Sequence, residues 1–244
     1  IITVCYNSAK TIEKTFKSVQ NQTYKNIEYI VVDGGSKDTT LDIVEKYQEI
    51  VSQSVSEPDK GLYDAMNKGI KMSTGDLVGI LNSDDIFTDE FVLENVANFH
   101  SQSNVDASVG NIIQFNEEGK TVRNYSAKKW NPEKLKIGFM PAHPAIFFKR
   151  SLFEKYGNYQ LDFTIGGDYE LITRFFLKPK ISWKYSGITT TSMLIGGLSS
   201  SGFGSYRLIT KEIAKALHKN NIQFSYVKIY LRGLWKLIGL LRKK

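Results

Sequence analysis

Apolar residues in the first hundred positions alternate between short unbroken runs and helical spacings. Ile1 to Tyr6, apolar but for Thr3, reads as a buried strand, with Asn7-Ser8 as the loop and N-cap of a helix. In that helix Ile12, Phe16 and Val19 recur at helical steps, and Gln20-Asn21-Gln22 closes it. Ile27 to Val32 predicts a second strand ending in Asp33-Gly34-Gly35-Ser36. Thr39 to Tyr47 predicts a second helix with Leu41, Val44 and Tyr47 on one face. A weaker strand, Val51 to Val55, runs into Glu57-Pro58-Asp59-Lys60-Gly61. The next helix turns Leu62, Met66 and Ile70 inward and ends near Gly75, and Leu77 to Ile80 is a buried strand that delivers Leu81-Asn82-Ser83-Asp84-Asp85. Repeated strand–helix units of this length imply a mainly parallel, Rossmann-like α/β sheet with helices on both faces and right-handed crossovers.

The second half has a different texture. Val105 to Phe115 and Thr121 to Tyr125 read as strands around an Asn116-Glu117-Glu118-Gly119 turn, and Ala145 to Phe148 as a short strand. Leu152 to Tyr156 is a helical turn, and Asp168 to Leu177 a helix with Leu171, Ile172 and Phe175 inward. Ile181 to Tyr185 and Thr189 to Leu194 are strand-like and precede a Gly/Ser-rich loop from Gly196 to Ser205. In Tyr226 to Lys244, Val227, Leu231, Leu234, Ile238 and Leu241 recur at three- and four-residue steps, while Lys228, Arg232, Lys236 and Lys243 gather on another face. This basic amphipathic helix suits docking to an anionic membrane surface, or packing on its own domain or a second subunit as a homo-oligomer.

Composition narrows the partners. With 41% hydrophobic and 23% charged residues in 244, the chain is globular and long enough for a substantial core. One Cys and three widely spaced His residues exclude an intramolecular disulfide and offer no zinc-like cluster. No apolar run reaches a membrane span, and no signal peptide is visible. The chain starts without Met inside a strand pattern, so the native N-terminus is expected further upstream. A net charge of +7 calls for an anionic partner such as a nucleotide or a phospholipid surface.

Carboxylates delivered to the end of a strand lie where open α/β sheets bind ligands, and without Cys or His nearby they suit a hard cation, Mg²⁺ or Mn²⁺. Thr3-Val4-Cys5-Tyr6-Asn7, Val31-Val32-Asp33-Gly34-Gly35-Ser36 and Asn82-Ser83-Asp84-Asp85 stand at successive strand ends. Together with Asp168, and with the block from Ser56 to Gly69, they make the chain resemble the inverting family-2 glycosyltransferases of the GT-A fold. Within that family it is similar to the bacterial branch that builds capsule, O-antigen and colanic-acid-type polysaccharides. The resemblance covers roughly residues 1 to 200. It implies a GT-A domain over residues 1–220, with a nucleotide-binding half to about residue 100, an acceptor half after it, and a separate helix over 221–244.

The resemblance also implies a function. A sugar moves from a nucleotide-diphosphate sugar, UDP-sugar favoured, to a hydroxyl of a glycan or lipid-linked acceptor, with Mn²⁺ or Mg²⁺ as cofactor, in the cytoplasm or on the inner membrane face. Asp33 can accept the N3–H of uracil, its other reading being a helix cap beside Gly34. Thr3, Tyr6 and Asn7 flank the same pocket, Thr3 and Asn7 reading equally as strand-end or capping residues. Lys60, near a helix start, suits phosphate, and Asn67 on that helix approaches the donor. Asp85 is implied as the metal ligand and Asp84 as the holder of ribose or sugar hydroxyls, with Asn82 standing where the family often has a further Asp. Asp168 is implied as the base that takes the acceptor hydroxyl's proton, although a helix-capping Asp has the same sequence appearance. His143 is implied near the acceptor, its other reading being a structural histidine, and Gly196-Gly197-Leu198-Ser199 as a loop closing over the donor.

Other classes fit less well. A nicotinamide oxidoreductase needs Gly-any-Gly-any-any-Gly after the first strand, which Cys5-Tyr6-Asn7-Ser8-Ala9 does not supply. A nucleotidyltransferase making the sugar nucleotide wants a Gly/Arg/Lys-rich first loop, also absent. A carbohydrate- or nucleic-acid-binding module would use the 12% aromatics. These, however, fall mostly at core spacing, and no nucleic-acid partner is expected.

Overall fold

The computed structural model describes residues 1–116, 118–195 and 203–232. The chain divides into two compact units. The first holds residues 1–128, 141–161 and 182–195; the second holds 129–140, 162–181 and the described residues from 203 onward. Strands from the later part of the chain belong to the first unit.

In the first unit β1 (Ile2–Cys5), β2 (Ile30–Asp33) and β3 (Gln53–Ser56) pair in parallel in the order β1-β2-β3. Every residue of β1 and β2 is buried, as expected for parallel strands covered on both faces. One cover is α1 (Ile12–Gln20) and α2 (Thr40–Lys46), whose Phe16 lies between Tyr29, edge-on at 5.8 Å, and Tyr47, stacked at 5.1 Å. The other cover is α3 (Leu62–Met72). Its Gly69 lies so close to the sheet that a Cβ there would stand 2.5 Å from Ile2 Cγ2. Met66 and Ile70 face inward as the spacing predicts, but Leu62, in the first turn, is 40% exposed. Helix α1 begins at Ile12, not at Asn7-Ser8, which form the loop before it.

Beyond β1 an Ile2–Ile80 parallel bridge leads to a second sheet, ordered β4-β8-β6-β9-β5 with β7 on β6. Its strands are β4 (Leu77–Val78), β5 (Asp85–Phe87), β6 (Ala107–Phe115), β7 (Thr121–Tyr125), β8 (Ile146–Lys149) and β9 (Trp183–Leu194). Only β6 and β9 run parallel here; the other pairs are antiparallel. The parallel character expected of the whole sheet is therefore concentrated in the first three strands. The two short strands read at 181–185 and 189–194 are one strand, β9, which bends at Gly187 (φ 75°). Helices α4 (Val92–Ser103) and α5 (Ser151–Tyr156) complete the unit.

The second unit contains α6 (Gly167–Leu177), α7 (Phe203–Lys219) and helical residues 226–232. In this last stretch Ile229 and Arg232 are buried, whereas Tyr226, Val227, Tyr230 and Leu231 are exposed. The faces are thus not those the spacing predicts. Arg232 is 3% exposed, lies over the Tyr206 ring at 5.2 Å, and donates to Thr210 Oγ1 at 3.3 Å. Leu234, Lys236, Ile238, Leu241 and Lys243 lie outside the described residues.

Candidate active site

The loops after β1, β2 and β3 and the 81–85 segment meet at one edge of the first unit. Hydrogen bonds between loops hold them there. Asn7 (φ 50°) donates its N–H to Ser36 Oγ at 2.7 Å, and its Oδ1 accepts the Lys37 N–H at 2.8 Å. Ser8 N–H donates to Thr40 Oγ1 at 2.8 Å, and the Ser8 and Ser83 hydroxyls meet at 2.8 Å. The carboxyl ends of adjacent parallel strands are thereby fixed as one floor, the usual ligand edge of an open α/β sheet.

Several expected donor contacts prove to be parts of this frame. Thr3 is fully buried, its hydroxyl 3.0 Å from the Tyr29 hydroxyl. Asn7 spends its amide oxygen and backbone N–H on the β2 loop. Asp33 is 1% exposed and already saturated. Its Oδ2 accepts the Ser56 hydroxyl at 2.7 Å and the N–H groups of Ser36 at 2.9 Å and Gly35 at 3.0 Å. Its Oδ1 accepts the Ser36 hydroxyl, with Cys5 Sγ at 3.6 Å. Burial pushes this carboxyl up, but the serine hydroxyls and backbone amides outweigh it and hold the group below its ordinary value. Asp33 is therefore the knot that ties three strand ends together, and a nucleobase has no lone pair to reach on it. Tyr6, by contrast, is 59% exposed, and Lys60 is exposed beside Gly61 (φ 113°) at the start of α3.

Asn67 and His143 form a second brace. The Asn67 side chain both donates to the Tyr159 carbonyl and accepts the Tyr159 N–H, each at 2.9 Å, so its amide is not turned to a donor. His143 is buried, with Nε2 2.6 Å from the Tyr159 hydroxyl, and Tyr159 stacks on Tyr63 at 5.6 Å. This packing is the structural role that a lone histidine can also have. Burial lowers the His143 pKa to about 4, so the ring is neutral when folded. Between the ordinary 6.5 and about 4 the unfolded chain binds a proton that the folded chain does not. The His143 contribution is therefore complete above pH 6.5 and is lost as pH drops toward 4, relative to a variant without the ring. At about 1.4 kcal/mol per unit this amounts to about 3 kcal/mol. Urea unfolding at pH 7 and pH 4.5 should show this loss in the parent and a much smaller one in His143→Gln; equal losses in both would refute it.

The acidic step lies at the same edge. Asp84 is half-buried in a turn, and Asp85 opens β5 at 1% exposure, accepting Asn82 Nδ2 at 3.1 Å. Burial pushes Asp84 up. Asp85 is pushed well above the carboxylate range by burial and then by the Asp84 charge, against the Asn82 hydrogen bond. Asn82 Oδ1 is buried and has no hydrogen-bond partner among the described residues. Two crowded carboxylates and an orphaned amide oxygen are a hard, all-oxygen donor set. No group of three His, Cys, Asp or Glu side chains suited to a metal gathers among the described residues. Such a set fits Mg²⁺ or Mn²⁺, which take one or two carboxylates and complete their shell with substrate phosphates and water.

In the second unit Asp168 stands one residue inside α6, whose cap is Gly166, so it is not the capping residue. Its Oδ1 accepts the Tyr169 N–H at 2.7 Å. The loop before it is held by Glu212 of α7, a residue that pattern reading does not single out. Glu212 is 7% exposed and accepts the N–H groups of Thr164 at 2.7 Å, Ile165 at 2.9 Å and Gly166 at 2.7 Å. A Cβ at Gly166 would stand 2.9 Å from Glu212 Cβ, so only glycine fits under this clamp. The Gly196-Gly197-Leu198-Ser199 segment lies outside the described residues. Among those residues no helix is long and apolar enough to cross a membrane.

The sequence profile of glycosyl transferase family 2 matches residues 1–157. A PGL/p-HBAD biosynthesis glycosyltransferase of Mycobacterium tuberculosis is 29% identical over 224 residues, covering 89% of this chain and 82% of that protein. An uncharacterised glycosyltransferase of the same species is 35% identical over 179 residues, covering 71% and 67%. Among solved structures, Staphylococcus aureus TarS (residues 1–349) in complex with UDP-GlcNAc has a TM-score of 0.69 at 20% identity, covering 93% of this chain and 67% of that one. The Pyrobaculum calidifontis mannosyltransferase PcManGT, with GDP-Man and Mn²⁺, has a TM-score of 0.65 at 19% identity, covering 89% and 63%. These likenesses give the α/β arrangement its name, the GT-A fold. With more than half of its length under the family profile, the chain belongs to glycosyl transferase family 2 and is a glycosyltransferase.

Proposed function

We propose that this glycosyltransferase moves a sugar, with inversion, from a UDP-sugar to a hydroxyl of a glycan or lipid-linked acceptor in bacterial surface polysaccharide synthesis. The observation that carries the reading is the Asn82–Asp84–Asp85 oxygen set at the edge where the loops after β1, β2 and β3 meet. Asp85, Asp84 and the Asn82 amide oxygen would hold a divalent ion, which when bound neutralises a departing diphosphate. Lys60, exposed at the start of α3, adds positive charge beside the backbone N–H groups of a helix N-terminus, an arrangement that attracts phosphate. Asp168 is the proposed general base: it takes the proton from the acceptor hydroxyl as that oxygen attacks the anomeric carbon. The bond from that carbon to the diphosphate breaks on the opposite face, which gives inversion.

The test is release of nucleotide from a panel of UDP- and GDP-sugars with Mn²⁺, followed by determination of the product's anomeric configuration. We expect turnover of a UDP-sugar that chelator abolishes. Asp85→Ala should reduce it by on the order of 100-fold, since it removes a direct oxygen ligand. Full activity in excess chelator, or in Asp85→Ala, would remove the ion from the mechanism. Absence of turnover and of thermal stabilisation with every sugar nucleotide would overturn the donor reading itself.

A further inference from the structure

With Asp33 saturated, the carboxylate that would read a base must be sought elsewhere at this edge. The neighbouring Gly34 has no backbone need to be glycine: Gly35 has φ 82°, but Gly34 is not among the positive-φ glycines. What occupies the space beside it is Asp59. A Cβ at position 34 would stand 2.4 Å from Asp59 Oδ2, 3.2 Å from Asp59 Cγ and 3.5 Å from Tyr6 Cδ2. The Asp59 carboxylate thus fills the space of the missing side chain, beside the exposed Tyr6 ring. Its Oδ1 is anchored by the Gly61 N–H at 2.8 Å, while Oδ2 meets no hydrogen-bond donor among the described residues. A fixed carboxylate oxygen, a bare glycine backbone and an exposed aromatic ring together suit a flat heterocycle with an N–H on its edge.

We propose that Asp59, not Asp33, reads the base of the nucleotide donor. Its Oδ2 accepts the ring N–H that uracil (N3) and guanine (N1) carry and that cytosine and adenine lack, while the base stacks on Tyr6. Gly34 is the permissive half of the pair, because any side chain there would displace Asp59. This deepens the nucleotide-sugar reading and rests on it.

The test is calorimetric binding of UDP, GDP, CDP and ADP at fixed Mn²⁺. For the parent, UDP or GDP should bind at least about 10-fold tighter than CDP and ADP, the value of one charge-assisted hydrogen bond. Asp59→Asn keeps the acceptor for the Gly61 N–H but offers the base an amide donor. It should weaken the preferred nucleotide by about 10- to 100-fold and bring CDP, whose N3 is an acceptor, level with it or above it. Gly34→Ala should erode the same preference with Asp59 intact. If the parent binds none of the four, the donor reading falls and this inference with it. If UDP or GDP binds but Asp59→Asn keeps its margin over CDP, or weakens all four equally, only the assignment of Asp59 is overturned.

Discussion

Asp168→Asn should lower kcat by about 10²- to 10⁴-fold while leaving the KM for the sugar nucleotide within a few-fold of the parent. The expectation starts from the position of the residue, one place inside the first turn of α6, where the helix dipole favours an ionised carboxylate. Asparagine has the same shape, and its Oδ1 can still accept the Tyr169 N–H now held at 2.7 Å, so the first turn should survive. What asparagine lacks is a site for the acceptor's proton. A base acts on the acceptor hydroxyl, so its loss shows in turnover and not in donor binding. Activity within a few-fold of the parent would make Asp168 an element of helix α6 and move the base elsewhere.

Much of the first unit was legible because its residues obey simple periodicities. Strands β1 and β2 are buried on both faces and are apolar except for Thr3 and Asp33, and Phe16, Met66 and Ile70 lie on the faces their spacing dictates. Helix α7 escaped because its inner face is not apolar. Thr210 and Glu212 are buried there, with Asn220 just past its end, beside Ile213, Ala216 and Leu217, each polar group with a hydrogen-bond partner, so the hydrophobic stripe is broken. Helix α4 was missed although Val92, Leu93 and Val96 turn inward, since its stripe ends on His100, bonded to Ser108 at 2.9 Å. The same cause limits the site. Asp33, Asn67 and His143 have the chemistry to touch a ligand, and only the structure shows that neighbouring loops use up that chemistry. Pattern tells which polar residues reach the carboxyl ends of the strands; it does not tell which of them face inward. Two adjacent glycines follow Asp33, and only the structure separates them: Gly35 has φ 82°, whereas Gly34 lies beside Asp59.

Glu212→Ala should destabilise the second unit by about 3–5 kcal/mol, because three backbone N–H groups lose their acceptor at once. Thr164, Ile165 and Gly166 all donate to this one carboxylate at 2.7 to 2.9 Å, and none has a replacement partner once it is truncated to a methyl group. A buried donor left unpaired costs about 1–3 kcal/mol, and water entering the space left by the side chain recovers part of the sum. Glu212→Gln is the informative companion. It keeps one oxygen for an N–H but turns an NH₂ group toward the others, so we expect roughly half the loss. Both variants should also slow transfer, since the clamped loop leads directly into Gly167 and Asp168. Donor affinity should be unaffected, because the nucleotide edge belongs to the first unit. Urea unfolding with parallel kinetics separates the two effects. A Glu212→Ala protein as stable as the parent would show that solvent satisfies the three amides without help. A destabilised protein with parental kcat well below its unfolding midpoint would show that the loop holds Asp168 in place without the clamp.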